Sequence, residues 1–342
     1  MHLKFYLRSV FFIFLSVSSL QANYSDYLKE YFQNSKETWL TEELKGGLSG
    51  AKNYKVTVDD TDYVLRILNP AEPLENRKQE IAAATYAGER KIGPPVFYFD
   101  ANHSAMIMSF VNGRTLNNAL LKDKNRLLAC LQTMKRLHQS TGDFPKGLTV
   151  FERIRFQLKN LKQGLIPAPI EKINKALKKL DQIEKMFQDH PLVPCHNDLS
   201  ALNIIVDGTE FKFIDWTDSG MGYIYNDLGY FVLVNHIEED RFCEVLELYL
   251  GRLPTQQELL LLKLMKKVNT LRIFASNFPA YEPSIPDPEQ RFIRSRELVE
   301  LINHDLLPLS YYFDLHTKGH LFGQKLIVEF SLSSLQSFLK ME

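Results

Sequence analysis

Between residues 195 and 203 the chain reads CHNDLSALN, followed at once by the apolar run IIV. Asp198 and Asn203 share this one short loop. Phosphoryl transfer needs a carboxylate to receive or orient a hydroxyl proton, and it needs oxygen ligands for magnesium. A carboxylate and a carboxamide at this spacing meet both needs. A second metal-ligating carboxylate should then follow just beyond a hairpin. FKFIDW supplies it in Asp215, after two short strands joined by the turn-forming pair Asp207-Gly208. Alone, Asp198 or Asn203 would read as a turn or cap residue. Together with Asp215 they point to a phosphoryl-transfer site, with His196 holding the shape of the loop.

The elements that must position these residues are readable around them. NIIVD and FKFIDW are short strands set among helices. NNALLKDKNRLLACLQTMKRLHQST has helical periodicity, with His138 in a structural place. IEKINKALKKLDQIEKMF is also helical, and it puts Ile170, Ile173, Leu177, Leu180 and Ile183 on one face. After Asp227 the chain is mainly helical, with a proline-rich loop at 283–288; NDLGYFVL reads as a helix start capped by Asn226 or Asp227, and Asp227 is also a candidate to contact substrate. Upstream, NYKVTV and DYVLRIL alternate about Asp59-Asp60 as a hairpin would. NRKQEIAAATYAGERK is helical, and VFYFD with AMIMSF forms a second hairpin. The expected fold class is α+β. A small antiparallel-sheet lobe at 23–111 precedes a larger, mainly helical lobe at 112–342, with a ligand cleft between them.

A nucleotide also wants backbone N–H groups near its phosphates and a cation held by an acidic partner. LKGGLSGAKNYKV places Gly46, Gly47, Ser49 and Gly50 before the first strand of the hairpin. The run lacks G-K-[ST] and the full G-x-G-x-x-G, and it reads equally as a flexible turn. In YVLRIL the cation is Arg66, which can bridge phosphate oxygens in bidentate fashion. Glu80 on the next helix is its candidate partner; the plainer alternative is a surface ion pair of little energetic weight.

His196-x-Asp198-Leu199-x-x-x-Asn203 matches the protein-kinase catalytic loop with Asn197 in place of arginine. With the upstream segments added, the chain resembles the choline/ethanolamine kinase family, within the aminoglycoside-phosphotransferase group. CHNDLSALNIIV resembles the catalytic loop of that family, FIDW its metal-binding segment, and GGLSGAKNYKV with VLRIL its nucleotide loop and arginine-bearing strand. ERKIGPPVFYF resembles the segment after its first helix, and SFVNGRTL its hinge. The likeness spans roughly residues 44–232. It implies a protein-kinase-like two-lobed fold and an ATP- and Mg2+-dependent kinase acting on a small amino alcohol, choline or ethanolamine. Asp198 would be the catalytic base, Asn203 and Asp215 the metal ligands, and Arg66 with Glu80 the phosphate-side pair. Backbone groups at Ser109 and Val111 would meet adenine. Thr217 stands where the family usually has glutamate, and Ile224 where choline kinases carry arginine.

An ammonium-bearing acceptor would want aromatic faces and a carboxylate. Trp216, Tyr223 and Tyr225 lie just past Asp215, with Asp218 among them, and Tyr311, Tyr312 and Phe313 could contribute from the tail. Core packing is the alternative for each ring. Thiamine and aminoglycosides are the other acceptors in the same class, and a catalytically silent kinase-fold binding protein is the competitor from outside it.

Composition bounds the rest. The chain has 342 residues with 41 basic and 41 acidic side chains, which gives no general charge imbalance to attract nucleic acid. Cys130, Cys195 and Cys243 are scattered and odd in number, so no disulfide framework is expected. MHLKFYLRS followed by VFFIFLSVSSL resembles a secretory signal or membrane-associated leader over residues 1–22. The need for ATP favours the cytoplasm.

Overall fold

The computed structural model describes residues 24–32, 39–44, 50–160, 170–277 and 333–340. The leader-like segment, Gly46, Gly47, Ser49, the proline-rich loop and the aromatics Tyr311, Tyr312 and Phe313 lie outside the described residues. Two compact units divide the chain: Met1–Ile81 with Pro95–Phe110, and Ala82–Pro94 with Val111–Glu342. The first is built on an antiparallel sheet and the second is mainly helical, an α+β fold as the sequence implies.

In the smaller unit five strands pair antiparallel in the order β1-β2-β3-β5-β4. They are β1 (Leu40–Leu44), β2 (Lys52–Val58), β3 (Thr61–Ile67), β4 (Val96–Phe99) and β5 (Ala105–Ser109). Asp59 and Asp60 both adopt positive φ, 46° and 61°, and this closes the two-residue turn of the β2–β3 hairpin. Paired positive φ values suit the right-handed twist of the flanking strands, and Asp tolerates them better than most residues. The second hairpin, β4–β5, turns around Asp100. Its Oδ1 accepts from the backbone N–H groups of Ser104 (2.6 Å) and Ala105 (2.7 Å). Two elements were not evident in the sequence: β1, and helix α1 (Tyr24–Tyr31). Leu28 of α1 is fully buried against Val56, Val58, Leu65, Ala105 and Ile107, so α1 covers one face of the sheet.

Helix α2 (Leu74–Glu89) contains the division between units, which falls after Ile81. The larger unit holds α3 (Lys124–His138), α4 (Val150–Asn160), α5 (Ile170–Lys185), α6 (Ile224–Val234), α7 (Phe242–Leu250) and α8 (Gln256–Asn277). It also holds two small sheets, β6-β8-β9 and β10-β7. Their strands are β6 (Arg114–Thr115), β7 (Val193–Cys195), β8 (Ile204–Asp207), β9 (Glu210–Phe213) and β10 (Gly220–Gly222). Asp123 caps α3 by accepting from the Arg126 N–H at 2.9 Å. The buried face of α5 is Ile173, Ala176, Leu180 and Ile183, while Ile170 is exposed and Leu177 half-buried. The apolar stripe is therefore rotated from the expected one, with Ala176 on it and Leu177 at its edge.

Helix α6 begins at Ile224, a turn earlier than NDLGYFVL suggests. Asn226 and Asp227 are thus inside the first turn, and their side chains bond elsewhere. Gly229 on the same helix faces α8: a Cβ there would lie 2.8 Å from Lys266 N and 2.9 Å from the Met265 carbonyl carbon. Only glycine permits this approach, which sets how α8 lies along α6. Among the described residues no helix is long and apolar enough to cross a membrane.

Candidate active site

The loop of residues 196–203 leaves β7 and ends in a single 3-10 turn, Ala201–Asn203, that runs directly into β8. The β8–β9 hairpin turns at Gly208 and Thr209, one residue later than the expected Asp207-Gly208 pair: Asp207 still pairs with Glu210, and Gly208 supplies the positive φ of 59°. The chain then passes through Asp215 to β10, which pairs back antiparallel on β7 with Gly220 opposite Cys195. Two short sheets therefore return the 215–219 segment to the loop. Ile214 fastens the two segments directly. Its N–H donates to Asn203 O (2.9 Å), and its carbonyl accepts from His196 Nε2 (2.9 Å). With Nε2 donating, His196 Nδ1 is free to accept the Asp198 N–H at 3.3 Å. His196 thus shapes the loop, as its position suggested.

Asn203 Nδ2 donates to both Asp198 Oδ2 (2.7 Å) and Asp198 O (2.9 Å). This locks the carboxylate and carboxamide into one unit and turns Asn203 Oδ1 away from Asp198. Asp215, at φ 62°, accepts the Thr217 hydroxyl on Oδ1 at 2.7 Å. A carboxamide oxygen and a carboxylate are hard oxygen donors that fit magnesium.

Asp227 is fully buried and organises the loop from below. Its Oδ1 accepts the Asn197 N–H (2.6 Å), and its Oδ2 accepts the His196 N–H (2.9 Å) and His138 Nε2 (3.0 Å). Tyr249 hydroxyl lies 2.7 Å from His138 Nδ1 and completes the chain. Burial works to raise the Asp227 carboxyl. The hydrogen bonds from His138 and the His196 backbone more than offset it, so the carboxyl lies below the usual range. Asn197 needs these contacts because it sits in the left-handed region at φ 65°. Its amide is held too: Nδ2 donates to Asp218 O (3.0 Å), and Oδ1 accepts Asn226 Nδ2 (2.8 Å). Asn226 in turn accepts from Asn269 of α8 at 3.1 Å.

Several residues at the site carried no signal when the loop was read alone. Arg272 of α8 is buried, and its Nη2 lies 2.6 Å from Asp218 Oδ2 and 3.8 Å from Asp198 Oδ1. Its Nη1 donates to Asn197 O, and its guanidinium stacks over Tyr230 at 4.6 Å. Arg153 of α4 takes the other oxygen of Asp218 at 2.7 Å. A single charge in the apolar run VNTLRIFAS was the available clue to Arg272, since such a charge is buried only when paired. Burial lifts the Asp198 carboxyl above its ordinary range, with Arg272 and the Tyr230 hydroxyl acting against the rise. Burial acts on Asp218 in the same sense, but Arg153 and Arg272 prevail and hold it low.

The remaining expected site residues are placed as follows. In the smaller unit Arg66 Nε bonds Glu80 Oε1 at 2.6 Å, with both residues buried, and Arg66 Nη1 reaches Asn53 Oδ1 at 3.3 Å. The pair is therefore internal rather than a surface pair. Gly50 has φ 72° and is exposed. The Ser109 N–H donates to Pro95 O, and the Val111 carbonyl accepts the Gly113 N–H, each at 2.9 Å. Trp216 is buried: its ring lies 4.6 Å from that of His196, and its indole N–H donates to Phe213 O. Tyr225 is buried beside Phe187 and His190, and Tyr223 packs between Phe187 and Phe151. A cavity of about 1130 Å³ in the larger unit shares Ser200, Ala201 and Leu202 with the loop and reaches Asn112, Arg114 and Asn117.

Residues 41–260 match the profile of the phosphotransferase enzyme family. The chain is 28% identical over 210 residues to protein LicA of Haemophilus influenzae, a match covering 60% of this chain and 61% of that protein. It thus spans about three-fifths of that relative's length. A choline/ethanolamine kinase family protein from Mesorhizobium loti superposes with a TM-score of 0.58 at 20% identity, over 91% of this chain and 99% of the other. Choline kinase LicA from Streptococcus pneumoniae superposes with a TM-score of 0.59 at 16% identity, over 92% and 99%. At these identities the structural likeness is one of fold.

Proposed function

The chain belongs to the phosphotransferase enzyme family, and on that premise we propose that it is an ATP-dependent kinase of a small amino alcohol, choline or ethanolamine foremost. The observation that carries the reading is the locked pair of Asp198 and Asn203, joined to the Asp215 segment through Ile214. In this reading Asp198 orients the acceptor hydroxyl and receives its proton as the oxygen attacks the terminal phosphorus of ATP, whose bond to the bridging oxygen breaks so that ADP leaves. Asn203 and Asp215 would hold magnesium, which when bound offsets charge on the phosphate oxygens. Arg66, steadied by Glu80, supplies a fixed cation for the nucleotide phosphates. The choice of acceptor is supported by the names of the relatives, protein LicA and choline kinase.

The deciding experiment is an acceptor panel of choline, ethanolamine, thiamine and aminoglycosides, read by coupled ATP consumption with the purified full chain. Turnover with choline or ethanolamine, abolished in Asp198→Asn while calorimetry shows magnesium-dependent nucleotide binding intact, is the expected result. A folded protein that binds nucleotide and turns over none of these acceptors would overturn the proposal in favour of a silent binding protein. Turnover with thiamine or an aminoglycoside alone would keep the kinase and replace the acceptor.

A further inference from the structure

We propose that Arg272 is a positioning residue for phosphoryl transfer, a brace from α8 that fixes the Asp198 loop, and that Asp218 acts through it instead of contacting the acceptor. The inference rests on the reading of Asp198 as the group that orients the acceptor hydroxyl.

Four contacts define the brace. Arg272 Nη1 holds the carbonyl of Asn197, the residue before Asp198 and the one in the left-handed conformation. Nη2 is anchored on Asp218 Oδ2 at 2.6 Å, and the same nitrogen lies 3.8 Å from Asp198 Oδ1. Tyr230 lies beneath the guanidinium at 4.6 Å. Arg272 therefore fixes the peptide leading into Asp198 and sets the charge beside its carboxylate. A planar fork can do both at once, and a lysine ammonium cannot.

Asp218 is oriented for this role on every side. Arg153 Nη1 takes Oδ1 at 2.7 Å, Arg153 Nη2 takes the Asp218 carbonyl at 3.1 Å, and Arg272 takes Oδ2. With a guanidinium on each oxygen, the carboxylate has its charge balanced and has little to offer a substrate ammonium. The same carbonyl accepts Asn197 Nδ2, so the Asp218 residue and Arg272 grip Asn197 from two directions. Arg272 and Asn269 lie three apart on α8, on one helix face, and both reach the Asn197–Asn226 region. The close seating of α8 on Gly229 delivers that face to the loop.

The test compares Arg272→Ala, Arg272→Lys, Asp218→Asn and the Arg272→Ala/Asp218→Asn double variant by steady-state kinetics. A small displacement of a catalytic group costs about a hundredfold, so kcat of Arg272→Ala should fall by about that factor. Both KM values should change by less than about threefold, because ground-state binding is not what the brace supplies. Guanidinium ion added to Arg272→Ala should restore part of kcat, and the double variant should be no slower than Arg272→Ala alone. A kcat near wild type, a loss confined to the acceptor KM, or additive losses in the double variant would each overturn the proposal. If Arg272→Ala does not fold, Arg272→Lys and Asp218→Asn decide by the same split of kcat from KM. If the wild-type chain turns over no acceptor, the functional reading has failed, and the brace is judged by amide hydrogen exchange across residues 195–203. Faster exchange there in the folded Arg272 variant upholds it, and unchanged exchange overturns it.

Discussion

Asp227→Asn isolates the contribution of the buried carboxylate beneath the loop. In the wild type two oxygens accept three hydrogen bonds, two from backbone N–H groups and one from His138. An asparagine retains one acceptor oxygen. Its best placement keeps the two donors at the Oδ2 position and sets its own N–H2 against the Asn197 N–H. That leaves one buried donor orphaned and facing another donor, and it removes the charge from the remaining bonds. An orphaned buried group costs about 1–3 kcal/mol, and charge-assisted bonds are stronger than neutral ones, so we expect a loss of about 3 kcal/mol. Urea unfolding at neutral pH should show a lower midpoint at unchanged slope. The folded-state pKa of Asp227 lies below its unfolded value, which is about 3.9 for Asp. Its stabilisation is therefore complete above about pH 4 and is lost as pH falls through the folded value. The difference between wild type and variant should be constant near neutrality and shrink on acidification. Equal midpoints, or a difference that widens in acid, would refute this role for Asp227.

Three further outcomes follow from contacts elsewhere. Gly229→Ala pushes a methyl into the backbone of α8, and thermal unfolding should show a loss of about 1–3 kcal/mol, typical of overpacking. Arg66→Met removes the guanidinium beside the buried Glu80 carboxylate, so the variant should lose about 3–5 kcal/mol in chemical denaturation, whereas Arg66→Met/Glu80→Met should recover most of it. Glu258 accepts from Arg252 and from the Thr255 backbone and hydroxyl, and its pKa is lowered to about 2. A carboxyl NMR titration should place its midpoint there, and Arg252→Met should move the midpoint towards the ordinary glutamate value.

What the sequence revealed and what it withheld follow from distance along the chain. His196, Asp198, Asn203 and the Asp215 segment are brought together across short intervals, through a hairpin that Asp207-Gly208 signals in the sequence and that turns one residue later, at Gly208-Thr209. Their arrangement could be read from spacing. Arg66 and Glu80 were likewise legible as a strand residue and a residue on the following helix, although only the structure shows the pair to be buried. Arg272 and Asn269 were not legible, because their partners are set by how α8 packs on α6. Asp227 was ambiguous for a local reason. Asn-Asp before an apolar run reads as a helix cap, but the helix starts at Ile224, so the carboxylate is released to serve the loop. The rings of Trp216 and Tyr225 looked equally suited to substrate and to core, and the structure surrounds both with protein neighbours.

The seating of Arg272 on Asn197 also has a consequence for biosynthesis. The two residues are 75 apart in the chain, with α6, α7 and most of α8 between them. A nascent polypeptide therefore exposes its whole HNDLSALN and FIDW signature well before the helix that secures it has been translated. Domains form as units during synthesis, so in this chain the recognisable motif precedes its own completion. A chain ending ahead of α8 would carry every signature residue and lack the contact that steadies them.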